Sequence, residues 1–406
     1  MEAKRRTRAP ERIGLLIPGI GGAVGSTTAS LLAAMRSGGA LRQSSVGALL
    51  SENLSLLGPK CPVLEPLSSW GLFGWDCREG DLWQAVQRGG VVPPGILDGA
   101  SGWLRAIRPR PVPFEPSSSV ARAVTQVSRD IGEARTEARW SRCVMVNLLP
   151  SSAPKMDPAL SREEILRSEV ADVAPDLIYL LAALRQRVPF VNFTANEIFL
   201  PSVVKEANRV HVPLCGLDGA TGQTYLKVAL ATALKLRGLR VHGWYSLNIL
   251  GNDDGAALRD PQRAANKLAH KTGVLSDVLG YELDGGDQGN RHVVRIDFYA
   301  PRGDNKEAWD VVDFAGGLGL PMSIRLNFQA RDSILAAPLV LDSARLIDSV
   351  GLHGRGGYIK ELEFFFKTPG DGSPASDFIE RVRSLQHLLH GLCGGAHRPK
   401  GGAFHE

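Results

Sequence analysis

From Ile13 to Met35 the chain carries no charged residue, a run long enough to cross a bilayer as a helix. It even holds small residues at the spacing by which membrane helices pack. Its glycines decide against that reading. Gly14, Gly19, Gly21, Gly22 and Gly25, together with Pro18 and four hydroxyl residues, make a poor continuous helix and a good strand, turn and helix start. Ile13-Gly-Leu-Leu-Ile17 reads as a buried parallel strand and Thr27 to Met35 as the helix that follows it. Between them lies G-x-G-G-x-x-G, formed by Gly19, Ile20, Gly21, Gly22, Ala23, Val24 and Gly25. Small residues let a backbone approach a phosphate, and the free N–H groups of a helix N-terminus point at its charge. A strand, a glycine loop and a helix in this order therefore predict a dinucleotide-binding α/β unit, although the loop alone also reads as a structural turn.

Further along, the βαβ order continues. Residues 93–120 are rich in Pro, Gly, Ser and Arg and are expected to form a long surface connection. Cys143 to Leu149 reads as a buried strand that ends in Pro150-Ser-Ser-Ala-Pro154, a loop placed to lie against a cofactor at the carboxyl edge of a parallel sheet. Ser161-Arg-Glu-Glu164 is a capping box, Pro189 to Asn192 a strand and Val203 to Arg209 a helix. From Thr224 the pattern changes to a helix ending at Leu236, a strand from Arg240 to Leu247, a helix carrying two lysines, and strands around Val293–Tyr299 and Met322–Phe328. No long helix separates those last strands, which favours an open mixed sheet. Helices near Ala337–Val350 and Phe378–Leu392 then return to the first domain. The expected fold is α/β: a Rossmann-like doubly wound domain with an inserted α+β domain built on an open mixed sheet. Its expected division is a basic mobile tail at 1–11, a first domain of 12–224 and 336–406, and a second of 225–335.

With 406 residues, 44% hydrophobic and 22% charged, the chain suits a soluble two-domain protein. A formal charge of +5 would permit nucleic-acid binding, but the basic residues are scattered and do not interleave with aromatics. An anionic small substrate explains the balance as well, so neither a nucleic acid nor a membrane is expected as partner. Five cysteines stand far apart with no Cys-x-x-Cys pair, which argues against a zinc or disulfide framework and for a reducing, cytoplasmic setting. No metal site is expected. Arg5-Arg6 could suggest a twin-arginine signal, yet no small-residue cleavage site following a proper apolar h-region is expected here.

Lys267 and Lys271 stand four apart, so a helix would present both ammonium groups to one spot. Lysines on a solvated face are the ordinary explanation; two kept inside a site would receive an anion such as a phosphorylated substrate. Asp332 alone reads as a helix N-cap and Asp254 as a turn residue, Lys306 as a turn lysine and Lys367 as a strand-end lysine.

Taken in order, however, Gly216-Leu-Asp-Gly-Ala-Thr-Gly-Gln-Thr224, Asn248-Ile-Leu-Gly-Asn-Asp-Asp-Gly255, Lys267-Leu-Ala-His-Lys271, Gly303-Asp-Asn-Lys306 and Asp332-Ser-Ile-Leu-Ala-Ala-Pro338 resemble the inositol-3-phosphate synthase family, also called myo-inositol-1-phosphate synthase. The resemblance runs with gaps from residue 19 to about 395. It implies an NAD-dependent sugar-phosphate cyclase in which C5 of glucose 6-phosphate is oxidised, a C6 proton is lost, C6 closes on the C1 aldehyde and the inosose is reduced to 1D-myo-inositol 3-phosphate. It also implies an NAD-binding first domain, with the second domain catalytic and a homotetramer interface. A cation near the C5 oxygen is needed as charge develops there.

Matched position by position, Lys267, Lys271, Lys306 and Lys367 fall on the family's active-site lysines, and Asp218, Asp254 and Asp332 on its aspartates. Lys271 and Lys306 are expected mainly at the phosphate, Lys267 and Lys367 nearer the reacting carbons, and Asp218 positioning a lysine. Thr221 and Gly222 match a phosphate-facing step, Asn248 and Asn252 amides of the sugar site, and Asp76 a carboxylate near the adenosine ribose. There are departures. Ala23 and Val24 stand where the family has paired asparagines, Leu217 replaces an aspartate, and Ala220 and Tyr225 stand where lysines often occur. Leu247 and Ile249 replace an aromatic and a histidine, so a more apolar sugar pocket is expected. That pocket leaves open a different cyclitol phosphate, such as a five-membered ring from fructose 6-phosphate in specialised metabolism. A non-catalytic NAD-binding regulator and an ordinary dehydrogenase are further alternatives.

Overall fold

The computed structural model describes residues 11–38, 49–50, 64–152, 157–251, 255–256, 273–283 and 291–394. Strands β1 (Ile13–Pro18), β2 (Trp70–Trp75), β3 (Arg142–Asn147), β4 (Phe190–Asn192) and β5 (Pro213–Cys215) alternate with helices. The helices are α1 (Ala23–Ser37), α2 (Leu82–Gly89), α3 (Ser101–Arg105), α4 (Val120–Glu137), α5 (Arg162–Arg167), α6 (Pro175–Arg185) and α7 (Pro201–Arg209). After α8 (Gln223–Leu236) come four longer strands, β6 (Arg240–Leu250), β7 (His292–Phe298), β8 (Asn305–Ala315) and β9 (Pro321–Arg331). The chain then forms α9 (Asp332–Leu352), the short β10 (Gly357–Tyr358) and α10 (Phe378–Gly394).

The first sheet runs β10-β5-β4-β3-β1-β2 and every pairing in it is parallel. Strands buried on both faces need no polar alternation, and β1 is buried from end to end. Ile13, Leu15 and Ile17 pack with α1, α9 and α10 on one face, while Leu16, Met145 and Phe190 pack with α4, α6 and α7 on the other. The chain order reverses between β1 and β3, which opens a crevice at the carboxyl ends of those strands. This is the Rossmann-like doubly wound layer expected from the sequence.

The second sheet runs β7-β6-β8-β9, with β6 and β7 parallel and the other pairings antiparallel, so it is open and mixed. One face is covered by α8 and helical residues 273–279, which bury Val228, Ala231, Val274 and Leu275 against Trp244 and Val312. The opposite face leaves Tyr245 and Trp309 exposed.

Several boundaries differ from expectation. Helix α1 begins at Ala23, inside the glycine loop, and β6 extends to Leu250. Residues 93–120 are no plain loop: α3 lies within them, and Arg110 bridges to Trp75 beside β2. Strand β8 was hidden because its inward row, Lys306, Ala308, Asp310, Val312 and Phe314, includes two charged residues. Helix α9 starts at Asp332 despite Pro338, whose missing N–H leaves the carbonyl of the 43%-exposed Ile334 to solvent.

Candidate active site

The crevice between β1 and β3 is built by close backbone approach. Gly21 N–H donates to Asp76 Oδ2 at 2.7 Å, and a Cβ on Gly21 would stand 2.8 Å from that oxygen. A Cβ on Gly25 would meet the Ile20 carbonyl at 2.5 Å, so glycine is what lets α1 close onto the loop. Gly22 caps α1 without a side-chain hydrogen bond, which leaves the first-turn N–H groups of Ala23, Val24 and Gly25 at an uncapped helix N-terminus suited to an anion. Ala23 and Val24 therefore offer backbone N–H groups in place of asparagine side chains. Asp76 follows β2, and its Oδ1 also accepts from Arg78 N–H at 2.9 Å. Each carboxylate oxygen retains a further lone pair.

Behind the crevice lies a buried polar network that the sequence reading missed. Asp176 on α6 accepts from Asn147 Nδ2 and Thr194 Oγ1 at Oδ1, and from Asn196 Nδ2 at Oδ2. Burial pushes the Asp176 carboxyl up, while those donors oppose the shift. Asn196 Oδ1 in turn accepts from Ser152 N–H at 2.8 Å, and the buried hydroxyls of Ser151 and Ser152 have no hydrogen-bond partner among the described residues. The available signal was the polar residue that closes each apolar strand, Asn147 on β3 and Asn192 on β4.

The segment 216–222 carries the second half of the site. Asp218 has φ +60°, a left-handed conformation that Asp tolerates better than most residues. Its N–H donates to the Thr194 carbonyl at 2.7 Å and its carbonyl accepts from Lys367 N–H at 2.8 Å. Asp218 Oδ1 then pairs with Lys367 Nζ at 2.7 Å. Three residues on, Thr221 Oγ1 donates to Asp332 Oδ1 at 2.9 Å, and the same oxygen pairs with Lys306 Nζ at 3.2 Å. Lys306 and Lys367 are 9% and 8% exposed, and a buried ammonium persists only when paired. Gly222 has φ +144°, and a Cβ there would meet the Phe328 ring at 2.9 Å. Asp332 is not the N-cap that its position suggests: Arg331 occupies the cap and Asp332 is the first helical residue.

Asn248 shares the inward face of β6 with Ser246 and Leu250. It is fully buried, and both atoms of its amide lack a hydrogen-bond partner among the described residues. Such an amide is costly unless something polar meets it. Asp310 on β8 joins the neighbouring elements: Oδ1 accepts from Ser246 Oγ at 2.6 Å and Trp244 Nε1 at 2.8 Å, and Oδ2 from Gln223 Nε2 at 2.9 Å. Lys227 Nζ stands 3.2 Å from His292 Nε2. Burial pulls the Lys227 ammonium down to about 8, with Asp310 opposing, and burial with Lys227 pulls His292 down to about 3.

Thus Asp218, Thr221, Gly222, Lys306, Asp332 and Lys367 are linked through one segment, and Asn248 lies on the inward face of the adjoining sheet. Asn252, Asp254, Lys267 and Lys271 lie outside the described residues. Leu247 and Ile249 fall on the face of β6 opposite Asn248, because side chains alternate along a strand. The apolar sugar pocket expected from them does not follow.

Residues 222–333 match the myo-inositol-1-phosphate synthase family. Over 415 aligned residues the chain is 31% identical to inositol-3-phosphate synthase 1 of Bacteroides thetaiotaomicron, covering 95% of this chain and 96% of that one. It is 27% identical to the human inositol-3-phosphate synthase 1, covering 96% of this chain and 80% of the human one. The crystal structure of inositol-3-phosphate synthase from Caenorhabditis elegans superposes with a TM-score of 0.81 at 20% identity, over 95% of this chain and 86% of that one.

Proposed function

The chain belongs to the inositol-3-phosphate synthase family, and we infer that it converts glucose 6-phosphate to 1D-myo-inositol 3-phosphate by oxidation, enolisation, intramolecular aldol closure and reduction. The observation that carries the site assignment is the pair of buried lysine–carboxylate contacts, Lys367–Asp218 and Lys306–Asp332, joined through residues 218–221. Pairing offsets the cost of burying both ammonium groups, and in a site of low local dielectric an ammonium stabilises developing oxyanions far better than in water.

The crevice fits NAD. Its diphosphate would lie against the first turn of α1, its ribose hydroxyls against Asp76, and the hydroxyls of Ser151 and Ser152 would gain partners. When bound, the nicotinamide supplies a hydride acceptor that gives back what it takes, so the conversion is redox-neutral.

This chain's residues govern the steps between. Loss of a C6 proton builds negative charge on the C5 oxygen, and bond formation from C6 to C1 passes charge to the C1 oxygen. Lys367, oriented by Asp218, holds its ammonium towards the C5 oxygen. Lys306 and Thr221 serve the phosphate; the resemblance assigns Lys271 to the phosphate as well and Lys267 to the reacting carbons. Asn248 and Asn252 meet sugar hydroxyls, which gives the buried Asn248 amide its partners, and Asp254 and Asp332 orient the lysines.

We assign 12–224 with 336–406 to cofactor binding and 225–335 to catalysis and homotetramer assembly, the latter through the exposed face of the mixed sheet bearing Tyr245 and Trp309. Among the described residues no helix is long and apolar enough to cross a membrane. The thiols of Cys77, Cys143 and Cys215, none in a disulfide, suit a reducing cytoplasm. The deciding experiment incubates the protein with NAD and glucose 6-phosphate and identifies the product by NMR while following nicotinamide absorbance. Inositol phosphate with no net absorbance change is expected. Stoichiometric NADH would instead identify an ordinary dehydrogenase.

A further inference from the structure

Lys367 belongs to no helix or strand. It follows a 3-10 turn at Lys360–Phe365 and an isolated bridge between Gly219 and Phe366, so no regular ladder fixes its backbone. What reaches that backbone from behind is the guanidinium of Arg381, in the first turn of α10 and only 4% exposed. Its Nη1 donates to the Phe366 carbonyl at 2.7 Å and more distantly to that of Glu363 at 3.5 Å. Its Nη2 donates to the Lys367 carbonyl at 3.1 Å and pairs with Glu363 Oε1 at 3.1 Å. Nε donates to the Ser376 carbonyl at 2.8 Å, and Ser376 N–H donates to the same Glu363 Oε1 at 2.8 Å. On its other side the segment is tied to 218–220, through Lys367 N–H to the Asp218 carbonyl at 2.8 Å and Ala220 N–H to the Phe365 carbonyl at 3.0 Å.

We propose that Arg381 is a positioning residue for the reaction, clamping the carbonyls of Phe366 and Lys367 so that the Lys367 ammonium stays aligned on Asp218 and the reacting carbons. The proposal rests on the reading of Lys367 as the cation at those carbons. Arg381 acts by geometry: its charge is matched by the 3%-exposed Glu363, and its planar fork serves several acceptors at once. A lysine, with one point of charge on a flexible stem, cannot hold the same set. Misplacing a catalytic group by about 1 Å costs on the order of a hundredfold in rate, so loosening this clamp should act on turnover rather than on substrate capture.

The test is a double-mutant cycle on the NAD-loaded full chain, with inositol phosphate quantified after long incubation so that residual turnover stays measurable. Lys367→Met should lower kcat by about a hundredfold. Arg381→Lys in the natural background should lower kcat by roughly tenfold or more with the sugar-phosphate KM changed by less than about threefold, and in the Lys367→Met background it should change kcat by less than about twofold. Equal losses in both backgrounds would overturn the proposal while leaving the role of Lys367 intact, as would an Arg381→Lys variant with natural kcat. A fully active Lys367→Met variant would overturn the role of Lys367 and the clamp with it. Should Arg381→Lys fail to fold, Glu363→Gln keeps the shape and loosens the fork. It should lower kcat in the natural background only, and a loss of the same size in both backgrounds would again overturn the proposal.

Discussion

At the scale of single residues, Asp218 combines two demands in one position: a left-handed backbone and a carboxylate on Lys367. Replacing it separates them. Asp218→Asn keeps the tolerance for positive φ and loses the charge, whereas Asp218→Ala should cost roughly 1 kcal/mol more in urea-unfolding stability. Both should lose turnover; equal stabilities would mean that the backbone at 218 relaxes freely. The two lysines should differ in kind. Lys306→Met is expected to raise the sugar-phosphate KM by removing binding shared by ground and transition states, while Lys367→Met mainly lowers kcat, by about a hundredfold. Matching kinetic profiles for the two would refute this division. Asp76→Ala should weaken NAD binding in a fluorescence titration and leave sugar-phosphate affinity near its natural value. An equal loss of both would count against a ribose contact.

Among elements, β8 and α8 place charge where a sheet usually has an apolar face. Lys227 on α8 is buried beside His292 and Asp310 and titrates near 8 in the folded chain, against 10.5 for an ordinary lysine. Between those values the unfolded chain binds more protons than the folded one, so this lysine makes stability rise with pH from about 8 to 10.5. The full span is worth roughly 3 kcal/mol, as an order of magnitude. Lys227→Met should abolish that component, so the natural protein should gain stability relative to the variant between pH 7 and 10 in denaturant titrations. A constant difference over that range would show that the ammonium is not depressed. His292 shifts the same way from its ordinary value, so protonation costs stability as pH falls below about 6.5.

For the whole molecule, the exposed face of the mixed sheet is where assembly should register. Trp309 is 48% exposed there and Trp309→Glu should lower the sedimenting mass; an unchanged mass would count against the proposed assembly through this face. Much of the architecture was legible along the chain, because apolar strands and a glycine loop at helix-start spacing declare a parallel doubly wound sheet from local chemistry alone. The capping box at Ser161 and Glu164 forms as read, since its partners are three residues apart. Lys306, Asp218 and Asp332 were singled out as candidates through ordered motifs and Lys367 by its matched position. Their pairings were not: Lys306 and Asp332 meet across 26 positions, and Lys367 finds Asp218 only after the second sheet has been threaded between them. Strand β8 escaped detection for the same reason, since its inward lysine and aspartate look misplaced until Thr221, Gln223 and Ser246 arrive from elsewhere to meet the network they belong to. Leu247 and Ile249 show the converse, where a role inferred from the resemblance falls on the face of β6 that strand alternation turns away from Asn248. The sequence by itself determined the layers, because hydrophobic period and turn chemistry act locally, and it named the candidate groups of the site through ordered motifs. Only the tertiary structure decided which charge neutralises which, because a buried ion pair depends on distances that no local pattern encodes.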